Sequence, residues 1–202
     1  VGQSIDIWNG EEWSLVDVVK TGENQKLIKV ITSAGQSLEC TEYHKWYVVT
    51  DYHKDAIVKT TKELNIGDKL IKFDLPVIEG KNELNLAYDN GFYTGDGCFM
   101  GNASHIYLYH DKRKLVNIFK SVINWMPQPI YKRLIGRAKG LRDKYFVPDS
   151  SYTIKCRLEW LAGLLDSDGC VYRNGTNEAL NLSSVMYDFL LEVQTMLQTL
   201  GV

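Results

Sequence analysis

Hydrophobic and polar residues alternate with a period of two through most of the first eighty residues. This period, with β-branched and aromatic residues at the apolar positions, is typical of short strands separated by turns. The predicted strands are Ile5–Trp8, Trp13–Val19, Leu27–Thr32, Leu38–Cys40, Lys45–Thr50 and Lys69–Phe73. Asn9-Gly10 predicts a tight hairpin between the first two strands. The pattern contains no helix of standard length, so we expect residues 1–80 to be an all-β domain.

Beyond about Leu84 the apolar residues recur every three to four positions, which is the period of amphipathic helices. The predicted elements are a helix that ends at Asp96, a hairpin over Cys98–Tyr109 turning at Gly101-Asn102, a helix over Lys112–Trp125 broken by Pro127 and Pro129, a helix over Thr153–Asp168, a hairpin turning at Asn174-Gly175, and a helix over Ser184–Leu200. The unit of helix, strands and helix begins twice. We therefore expect an α+β chain whose second domain, residues 81–202, contains one repeat over about 84–150 and an incomplete one over about 151–202.

The most informative segment is Leu161–Gly169, which reads LAGLLDSDG. Gly163 and Ser167 lie four residues apart on one helix face, where two backbones can approach closely. Asp168 falls at the helix C-terminus, and Gly169 is expected in the left-handed conformation that ends many helices. The helix dipole already places partial negative charge there, so an acid at this position predicts a cation beside it.

A weaker copy of the same pattern lies at Asp89–Gly97, which reads DNGFYTGDG. Gly91 and Gly95 repeat the spacing of the two small residues, and Asp96 repeats the terminal acid. Taken alone, Gly-Asp-Gly is more typical of a plain turn. The repeated spacing favours a second motif helix.

Leu161–Gly169 matches the LAGLIDADG motif at seven of nine positions, and this part of the chain resembles the LAGLIDADG homing endonucleases. The resemblance implies two motif helices packed about a pseudo-two-fold axis, with interface residues Gly91, Gly95, Gly163 and Ser167. It implies that Asp96 and Asp168 hold Mg²⁺ for hydrolysis of both strands of double-stranded DNA. Lys144, before Tyr-Phe-Val-Pro148, matches a family block and is interpreted as a catalytic lysine near the attacking water or as a phosphate contact. Asp166 is interpreted as structural.

The net charge of −2 conceals a strongly basic segment. Between Gly101 and Arg157 there are twelve Lys and Arg residues against three acids, a balance of +9. A basic segment with interleaved aromatic residues favours a polyanionic partner, although a solvated basic face is the alternative. The candidate DNA-binding residues are Tyr107, Tyr109, Lys112, Arg113, Lys132, Arg133, Arg137, Lys139 and Arg142. The resemblance implies that the hairpin over Cys98–Tyr109 reads bases in the major groove.

The N-terminal part, residues 1–75, resembles the Hint-type splicing domain of inteins. The resemblance is carried by Thr41-x-x-His44 and by the turn over Glu63–Asp68. It implies that Thr41 and His44 act at the N-terminal splice junction, where His44 helps to polarise the scissile peptide. The alternative for His44 is a packed strand residue. The segments Trp8–Trp13 and Lys26–Lys29 resemble inteins hosted by ribonucleotide reductases.

The chain begins at Val1-Gly2 and does not contain the nucleophile and the closing His-Asn of the intein family. We therefore expect the middle of an intein, which needs flanking host-protein segments to splice. No apolar run reaches membrane-spanning length, and no signal peptide is apparent, so a cytoplasmic protein with no membrane partner is expected.

Cys40, Cys98, Cys156 and Cys170 lack the spacing of a zinc ribbon, and His105 and His110 are more typical of strand residues than of metal ligands. Two functions stay open. One is an intein-encoded, site-specific DNA endonuclease, and the other is a degenerate module that keeps the splicing scaffold or DNA binding without cleavage.

Overall fold

The computed structural model describes residues 2–50, 56–72 and 75–202 of the chain. It divides into two compact units, one running to Pro76 and the other from Val77 to Leu200. Among the helices of the described residues, none has both the length and the apolar character needed to cross a bilayer.

The N-terminal unit is built from antiparallel strands in three small sheets. Two of the sheets are hairpins, β1 (Ser4–Trp8) with β2 (Trp13–Asp17) and β3 (Leu27–Ile31) with β4 (Ser37–Thr41). In the third sheet, β5 (Lys45–Val49) lies between β6 (Ile57–Thr60) and β7 (Lys69–Leu70). A 3₁₀ turn over Thr61–Glu63 is the helical segment of the described part of this unit. The strand alternation therefore predicts this unit well.

Three details of the N-terminal unit differ from the sequence prediction. Strand β6 was not predicted, because only four residues carry it between Ala56 and the 3₁₀ turn. The hairpin predicted at Asn9-Gly10 is confirmed, but its connection is a loop over residues 9–12. In this loop the Asn9 side-chain oxygen accepts hydrogen bonds from the backbone N–H groups of Glu11 and Glu12, each at 2.9 Å. The predicted end of the last strand, Phe73, lies outside the described residues.

The C-terminal unit follows the predicted order of helix and hairpin twice. Its elements are α1 (Ala87–Asp96), β8 (Gly97–Met100), β9 (Ala103–Tyr109), β10 (Val122–Gln128), β11 (Arg133–Ala138), α2 (Ile154–Asp168), β12 (Gly169–Asn174), β13 (Asn177–Leu182) and α3 (Tyr187–Gln198). Strands β8 to β11 form one antiparallel sheet in the order β10-β11-β9-β8, and β12 pairs with β13. Gly101 and Asn102 both have positive φ, as a two-residue hairpin turn requires.

The helix predicted over Lys112–Trp125 is wrong. A 3₁₀ helix covers His110–Leu115, and Val122–Gln128 is the edge strand of the four-stranded sheet. The apolar residues of the pattern still contribute to a core, since Phe119 is buried there and Leu115 and Val122 pack against it. Hydrogen bonding to β11 outweighs the local preference of these residues for a helix, because tertiary contacts commonly override such preferences. An edge strand also tolerates Pro127, which has no N–H to donate.

Two apolar clusters fix the motif helices in place. Residues of α1 pack with the sheet in one cluster, which contains Phe92, Tyr93, Ile106, Leu108, Phe119 and Ala138. Residues of α2 pack with α3 in the other, which contains Leu84, Ala87, Cys156, Trp160, Leu164, Phe189, Val193 and Met196. Both motif helices are thereby anchored along their length, and their C-terminal ends are held in fixed positions.

Each motif helix runs directly into a strand through a glycine. The left-handed conformation expected at Gly169 is wrong, because Gly169 has a φ of −73° and Gly97 has a φ of −117°. The requirement for glycine is steric instead. A Cβ atom on Gly97 would stand 2.2 Å from Cδ2 of Tyr93, and one on Gly169 would stand 2.5 Å from the carbonyl oxygen of Leu165.

Candidate active site and basic sheet face

The predicted interface residues bring α1 and α2 into backbone contact. A Cβ atom on Gly91 would stand 1.8 Å from the carbonyl oxygen of Trp160, and a Cβ atom on Gly163 would stand 2.0 Å from that of Tyr88. The two contacts are reciprocal, since each glycine meets the carbonyl three residues before the other. No side chain fits at either position without moving one backbone away from the other.

The second pair of small residues lies nearer the helix ends. A Cβ atom on Gly95 would stand 2.2 Å from Oγ of Ser167 and 2.7 Å from Cγ of Asp168. The side chain of Ser167 is buried and donates a hydrogen bond to the carbonyl oxygen of Leu164 at 2.8 Å. The four small residues thus form one continuous contact, which ends where the two acids begin.

Asp96 and Asp168 end the two helices side by side. Burial raises the pKa of the Asp96 carboxyl, the hydrogen bond and charge of Lys112 lower it, and the charge of Asp168 raises it further. A Cβ atom on Gly95, the residue before Asp96, would stand 2.7 Å from Cγ of Asp168, so the two acids lie close together. Asp168 itself is exposed. Two acids and two helix C-termini therefore concentrate negative potential at one point of the surface.

Two lysines supply positive charge at this point. The Lys112 ammonium lies 2.5 Å from Oδ2 of Asp96 and also donates to the carbonyl oxygen of Ser167 in the last turn of α2. The Lys144 ammonium donates to the carbonyl oxygen of Gly95 at 3.3 Å and to that of Gly97. Each helix C-terminus is thus capped by a lysine, an arrangement that the helix dipole favours.

The position of Lys112 differs from the role that its sequence context suggested. The basic segment predicts a DNA contact, whereas its ammonium lies among the acids. Lys112 is therefore a cation beside one of the terminal acids, as the sequence predicts. A divalent metal ion beside the acids stays a prediction. No local pattern could identify this lysine, because the contact with Ser167 spans 55 residues of sequence.

A cleft of about 240 Å³ opens beside the acids. Its lining includes Thr94, Gly95, Lys144, Asp168, Ser184 and Phe189. Lys144 and Asp168 thus face the same cleft from different segments of the chain. The lysine predicted as a catalytic residue lies beside one of the two predicted metal ligands.

The donor set at the helix ends fits a hard divalent cation. Among residues 2–50, 56–72 and 75–202, no group of three or more His, Cys, Asp or Glu side chains could hold a metal ion. The two carboxylates would therefore act together with backbone carbonyl oxygens of the helix ends and with water. Mg²⁺ takes oxygen ligands, usually keeps several waters and commonly uses one or two carboxylates, so this set suits it.

Asp166 points away from this group. Its carboxylate accepts a hydrogen bond from the Tyr88 hydroxyl of α1 at 2.8 Å. Burial and this contact raise the pKa of Tyr88 well above its ordinary value. Asp166 therefore ties the two motif helices together, in line with the structural interpretation.

Buried polar side chains that sequence reasoning did not single out hold the start of α1. The Asp89 carboxylate accepts a hydrogen bond from the backbone N–H of Ser121 at 2.6 Å. Asn90 accepts one from the backbone N–H of Arg142 at 2.7 Å. Both lie in the weaker motif copy, and their burial on a helix face is the feature that distinguishes them from solvated polar residues.

The four-stranded sheet has one apolar face and one polar, aromatic face. Ile106 and Leu108 of β9 are buried in the cluster that contains Phe92 and Tyr93 of α1. The alternate residues Tyr107 and Tyr109 therefore lie on the other face. The register pairs Tyr109 with Arg133 and His105 with Arg137. We call this polar surface of β9 and β11 the basic sheet face.

Arg133 occupies the centre of the basic sheet face. Its guanidinium carbon lies 4.8 Å from the ring centroid of Tyr131, 5.0 Å from that of Tyr107 and 5.8 Å from that of Tyr109. Its Nε donates to the side-chain oxygen of Gln128 at 2.9 Å. The Tyr107 hydroxyl in turn lies 3.1 Å from Sγ of Cys98, and this contact together with burial raises the pKa of Tyr107 to about 12.

The remaining predicted DNA-binding residues are exposed. These are Arg113, Lys132, Arg137, Lys139 and Arg142. Arg113 donates through Nε to the carbonyl oxygen of His110 at 2.9 Å, and the Arg142 guanidinium lies 5.5 Å from the Phe146 ring. The structure therefore brings Tyr107, Tyr109, Arg133 and Arg137 together on one sheet face and places the others on neighbouring strand ends and loops.

The predicted splicing residues lie in the N-terminal unit. The backbone N–H of His44 donates to the carbonyl oxygen of Thr41 at 3.2 Å, which closes the turn between β4 and β5. The exposed imidazole of His44 packs edge-on against Trp46, with ring centroids 5.3 Å apart. The Trp46 indole N–H donates to the buried Thr61 hydroxyl at 2.9 Å. These contacts hold the turn in place and leave the imidazole exposed to solvent.

Comparison with known proteins agrees with the motif helices. A family model described as a LAGLIDADG-like domain matches residues 155–202. This segment contains Gly163, Ser167 and Asp168. Residues 155–202 are therefore similar to a LAGLIDADG-like domain, which confirms the predicted resemblance for this segment.

The whole chain is similar to part of several ribonucleotide reductase subunits. It is 37% identical over 217 residues to the ribonucleoside-diphosphate reductase large subunit of Invertebrate iridescent virus 6. This similarity covers 100% of this chain and 22% of that protein. It is 26% identical over 234 residues to the NrdEB subunit alpha of Bacillus subtilis, covering 94% of this chain and 21% of that protein. The subunit of Bacillus phage SPbeta gives the same values. The chain thus spans about a fifth of the length of these relatives.

Proposed function

We propose that this chain is part of an intein whose C-terminal unit is a site-specific endonuclease for double-stranded DNA. The observation that carries the proposal is the placement of Asp96 and Asp168 at adjoining helix ends, joined through the backbone contact of Gly91 with Trp160. The match of residues 155–202 to a LAGLIDADG-like domain supports it.

The acids and Lys144 have different roles in phosphodiester hydrolysis. Asp96 and Asp168 would hold a divalent ion, which would supply electrophilic activation of the scissile phosphate and of the attacking water. Each carboxylate would hold positive charge next to the scissile phosphate of one DNA strand, Asp96 at one strand and Asp168 at the other. Lys144, held by the carbonyl oxygens of Gly95 and Gly97, keeps an ammonium at the cleft, where the phosphate becomes more negative during the reaction.

The basic sheet face positions the DNA. Arg137 and the exposed lysines are suited to phosphate contacts, which set affinity and make it dependent on salt. The aromatic and arginine side chains of β9 and β11 are suited to the base edges of the major groove, which a β-sheet can enter. A rigid sheet joined directly to both α1 and the strand-connecting loops fixes where the acids lie along the target.

The experiment uses a duplex that spans the intein-free insertion point of the host ribonucleotide reductase gene. With Mg²⁺ the wild-type protein should cut both strands, and Asp96→Asn and Asp168→Asn should each abolish double-strand cleavage while still shifting the duplex on a gel. Asp166→Asn is the matched control and should cut nearly normally, because its amide can still accept from Tyr88. Cleavage by the Asp96/Asp168 double variant would rule out the paired-acid mechanism.

The same experiment distinguishes the alternative function. A degenerate module would bind the duplex and leave it intact at every Mg²⁺ concentration. The presence of both acids, and of Lys144 at the cleft beside them, favours the active enzyme.

We further propose that the N-terminal unit is part of a Hint-type splicing domain. The similarity to ribonucleotide reductase subunits extends over both units and covers only about a fifth of each relative, which supports an insertion within a host protein. In a precursor that carries the flanking host segments, His44→Ala should slow cleavage at the N-terminal junction by orders of magnitude. Tyr43→Phe, at an exposed position of the same turn, is the control and should splice like the wild type. If the His44→Ala precursor splices as fast as the wild type on a gel, His44 has no role in cleavage at the N-terminal junction.

A further inference from the structure

Lys112 lies at the one place where the two motif helices and the two acids converge. Its ammonium is 2.5 Å from Oδ2 of Asp96 on α1 and also donates to the carbonyl oxygen of Ser167 on α2. The side chain reaches this point from the 3₁₀ helix over His110–Leu115, and its ammonium lies 6.0 Å from the Phe92 ring. It is therefore the cation that bridges the two helix ends.

The electrostatics of the site explain why a cation is needed there. Asp96 is only 17% exposed, so its carboxylate has lost much of its hydration. The Asp168 charge and the C-terminal dipole of α2 add negative potential. Without a counter-charge, these groups would repel one another across the helix contact. The charge of Lys144 also lowers the pKa of Asp96, but its ammonium donates to the carbonyl oxygens of Gly95 and Gly97. Lys112 is the lysine that contacts the Asp96 carboxylate itself.

The oxygen atoms that Lys112 contacts are also the type that a divalent ion requires. A carboxylate oxygen and a backbone carbonyl oxygen form the donor set of a hard cation. An ammonium and a divalent ion cannot occupy the space between the same two oxygens, and their like charges repel at short distance. Either cation can balance the two acids, but not both in the same position.

We propose that Lys112 is a built-in counter-ion that holds the two helix ends together in the metal-free protein and that a divalent ion displaces. This inference rests on the proposed function, because it assumes that Asp96 takes part in binding the metal. Lys112 is thus a positioning residue, and it sets the concentration of Mg²⁺ at which the site loads.

The experiment compares three full-length variants without DNA. Lys112→Met removes the charge at similar length, Lys112→Arg keeps a charge, and Lys114→Met removes an exposed lysine paired with exposed Asp111 in the same 3₁₀ helix. Mg²⁺ binding is measured by titration calorimetry, and thermal melting is followed in EDTA and in saturating Mg²⁺.

Lys112→Met should bind Mg²⁺ about tenfold more tightly, as expected when one nearby like charge is removed from a partly exposed site. Its melting temperature should be lower than that of the wild type in EDTA. In saturating Mg²⁺ the two melting temperatures should be the same. A purely structural lysine would lower the melting temperature in both conditions and would not increase metal affinity. Lys112→Arg and Lys114→Met should bind Mg²⁺ like the wild type.

A second measurement avoids any dependence on variant folding. In the wild type, the ¹⁵N signal of the Lys112 ammonium should change and lose its protection from exchange as Mg²⁺ is added. The proposal for Lys112 would be wrong if a folded Lys112→Met bound Mg²⁺ no more tightly than the wild type, or if the ammonium signal did not change with Mg²⁺. Either result would leave the proposed metal site intact. Absence of Mg²⁺ binding in the wild type and all variants would overturn the proposed metal site as well.

Discussion

Gly91 and Trp160 approach so closely that a Cβ atom on the glycine would stand 1.8 Å from the tryptophan carbonyl oxygen. The contact joins backbone to backbone, so side-chain rotation cannot relieve it. The reciprocal contact of Gly163 with Tyr88 makes the helix pair rigid along its length. The position of the two terminal acids relative to each other therefore follows from glycine at two sequence positions.

Gly91→Ala should destabilise the C-terminal unit by more than the roughly 1–3 kcal/mol typical of an extra buried carbon, because the obstructing atom belongs to the other helix backbone. Urea unfolding followed by circular dichroism measures the change. Glu159→Ala, at an exposed position of α2, serves as the control and should unfold like the wild type. Wild-type stability of Gly91→Ala would show that the helices separate at little cost.

Gly95→Ala should have a different effect, because the atoms nearest to its Cβ belong to the side chains of Ser167 and Asp168. The Ser167 hydroxyl and the Asp168 carboxyl can rotate, whereas Cβ of Ser167, 2.7 Å away, requires a small shift of the helix ends. We therefore expect a folded protein in which the Asp168 carboxylate is displaced. Misplacement of a reacting group by about 1 Å can cost roughly 10²-fold in rate. DNA cleavage should fall by that order, while affinity for the duplex measured by gel shift stays near the wild-type value.

A second substitution tests the cause of the Gly95→Ala defect. Ser167→Gly removes the side chain whose Oγ lies nearest to the new Cβ atom. The double variant should therefore regain a large part of the lost cleavage rate. A double variant no faster than Gly95→Ala alone would contradict displacement of the acid by crowding.

The motif helices and their acids were predictable because the information is local. Gly163, Ser167 and Asp168 lie within six residues, and a period of four places the small residues on one face. Gly91, Gly95 and Asp96 repeat this spacing, but the local pattern there is weak, and the resemblance to a family with two motifs was needed to identify them. The hairpin turn at Gly101-Asn102 was predictable for the same reason, since its two residues alone determine the turn.

Features set by distant contacts were not predictable from local patterns. The residues over Lys112–Trp125 have a helical period, yet β10 forms because β11 offers a strand partner and Asp89 accepts the N–H of Ser121. The lysine caps are equally remote, because Lys144 meets Gly97 across 47 residues. Gly169 was placed correctly after its helix for an incorrect reason, since steric crowding rather than a left-handed conformation requires glycine there.

The exposed cations near the basic sheet face should contribute to affinity through phosphate contacts. Replacing Lys132 and Arg137 together by alanine should lower the slope of log affinity against log salt by about two, at about 0.9 per phosphate contact. The loss should be similar for every DNA sequence. Lys155→Ala, at the start of α2 away from the acids, is the single-charge control and should leave the slope unchanged. An unchanged slope in the double variant would identify these residues as a solvated face.

Arg133 differs from these cations because its guanidinium is already fixed in place. Three tyrosine rings lie within 6 Å of its guanidinium carbon, and Gln128 accepts from its Nε. Its Nη1 also donates to the Tyr109 hydroxyl at 3.3 Å. Of the five N–H donors of a guanidinium group, the remaining ones stay available to a base, and an arginine fixed in this way loses little conformational entropy when they bind it. Bidentate contact with a guanine in the major groove is the most common specific contact of an arginine.

We therefore expect Arg133→Lys to relax the preference for guanine at one position of the target, since lysine cannot form the planar, two-pronged contact. The loss of discrimination should be about 1–3 kcal/mol at that base pair and near zero elsewhere. Binding to a panel of duplexes that carry every single substitution of the target measures it, with a variant lacking both acids so that the DNA stays intact. Gln128→Leu, which frees Nε, should weaken the same preference to a smaller extent. If Arg133→Lys lowers affinity equally for every duplex in the panel, Arg133 contacts phosphate and does not read the sequence.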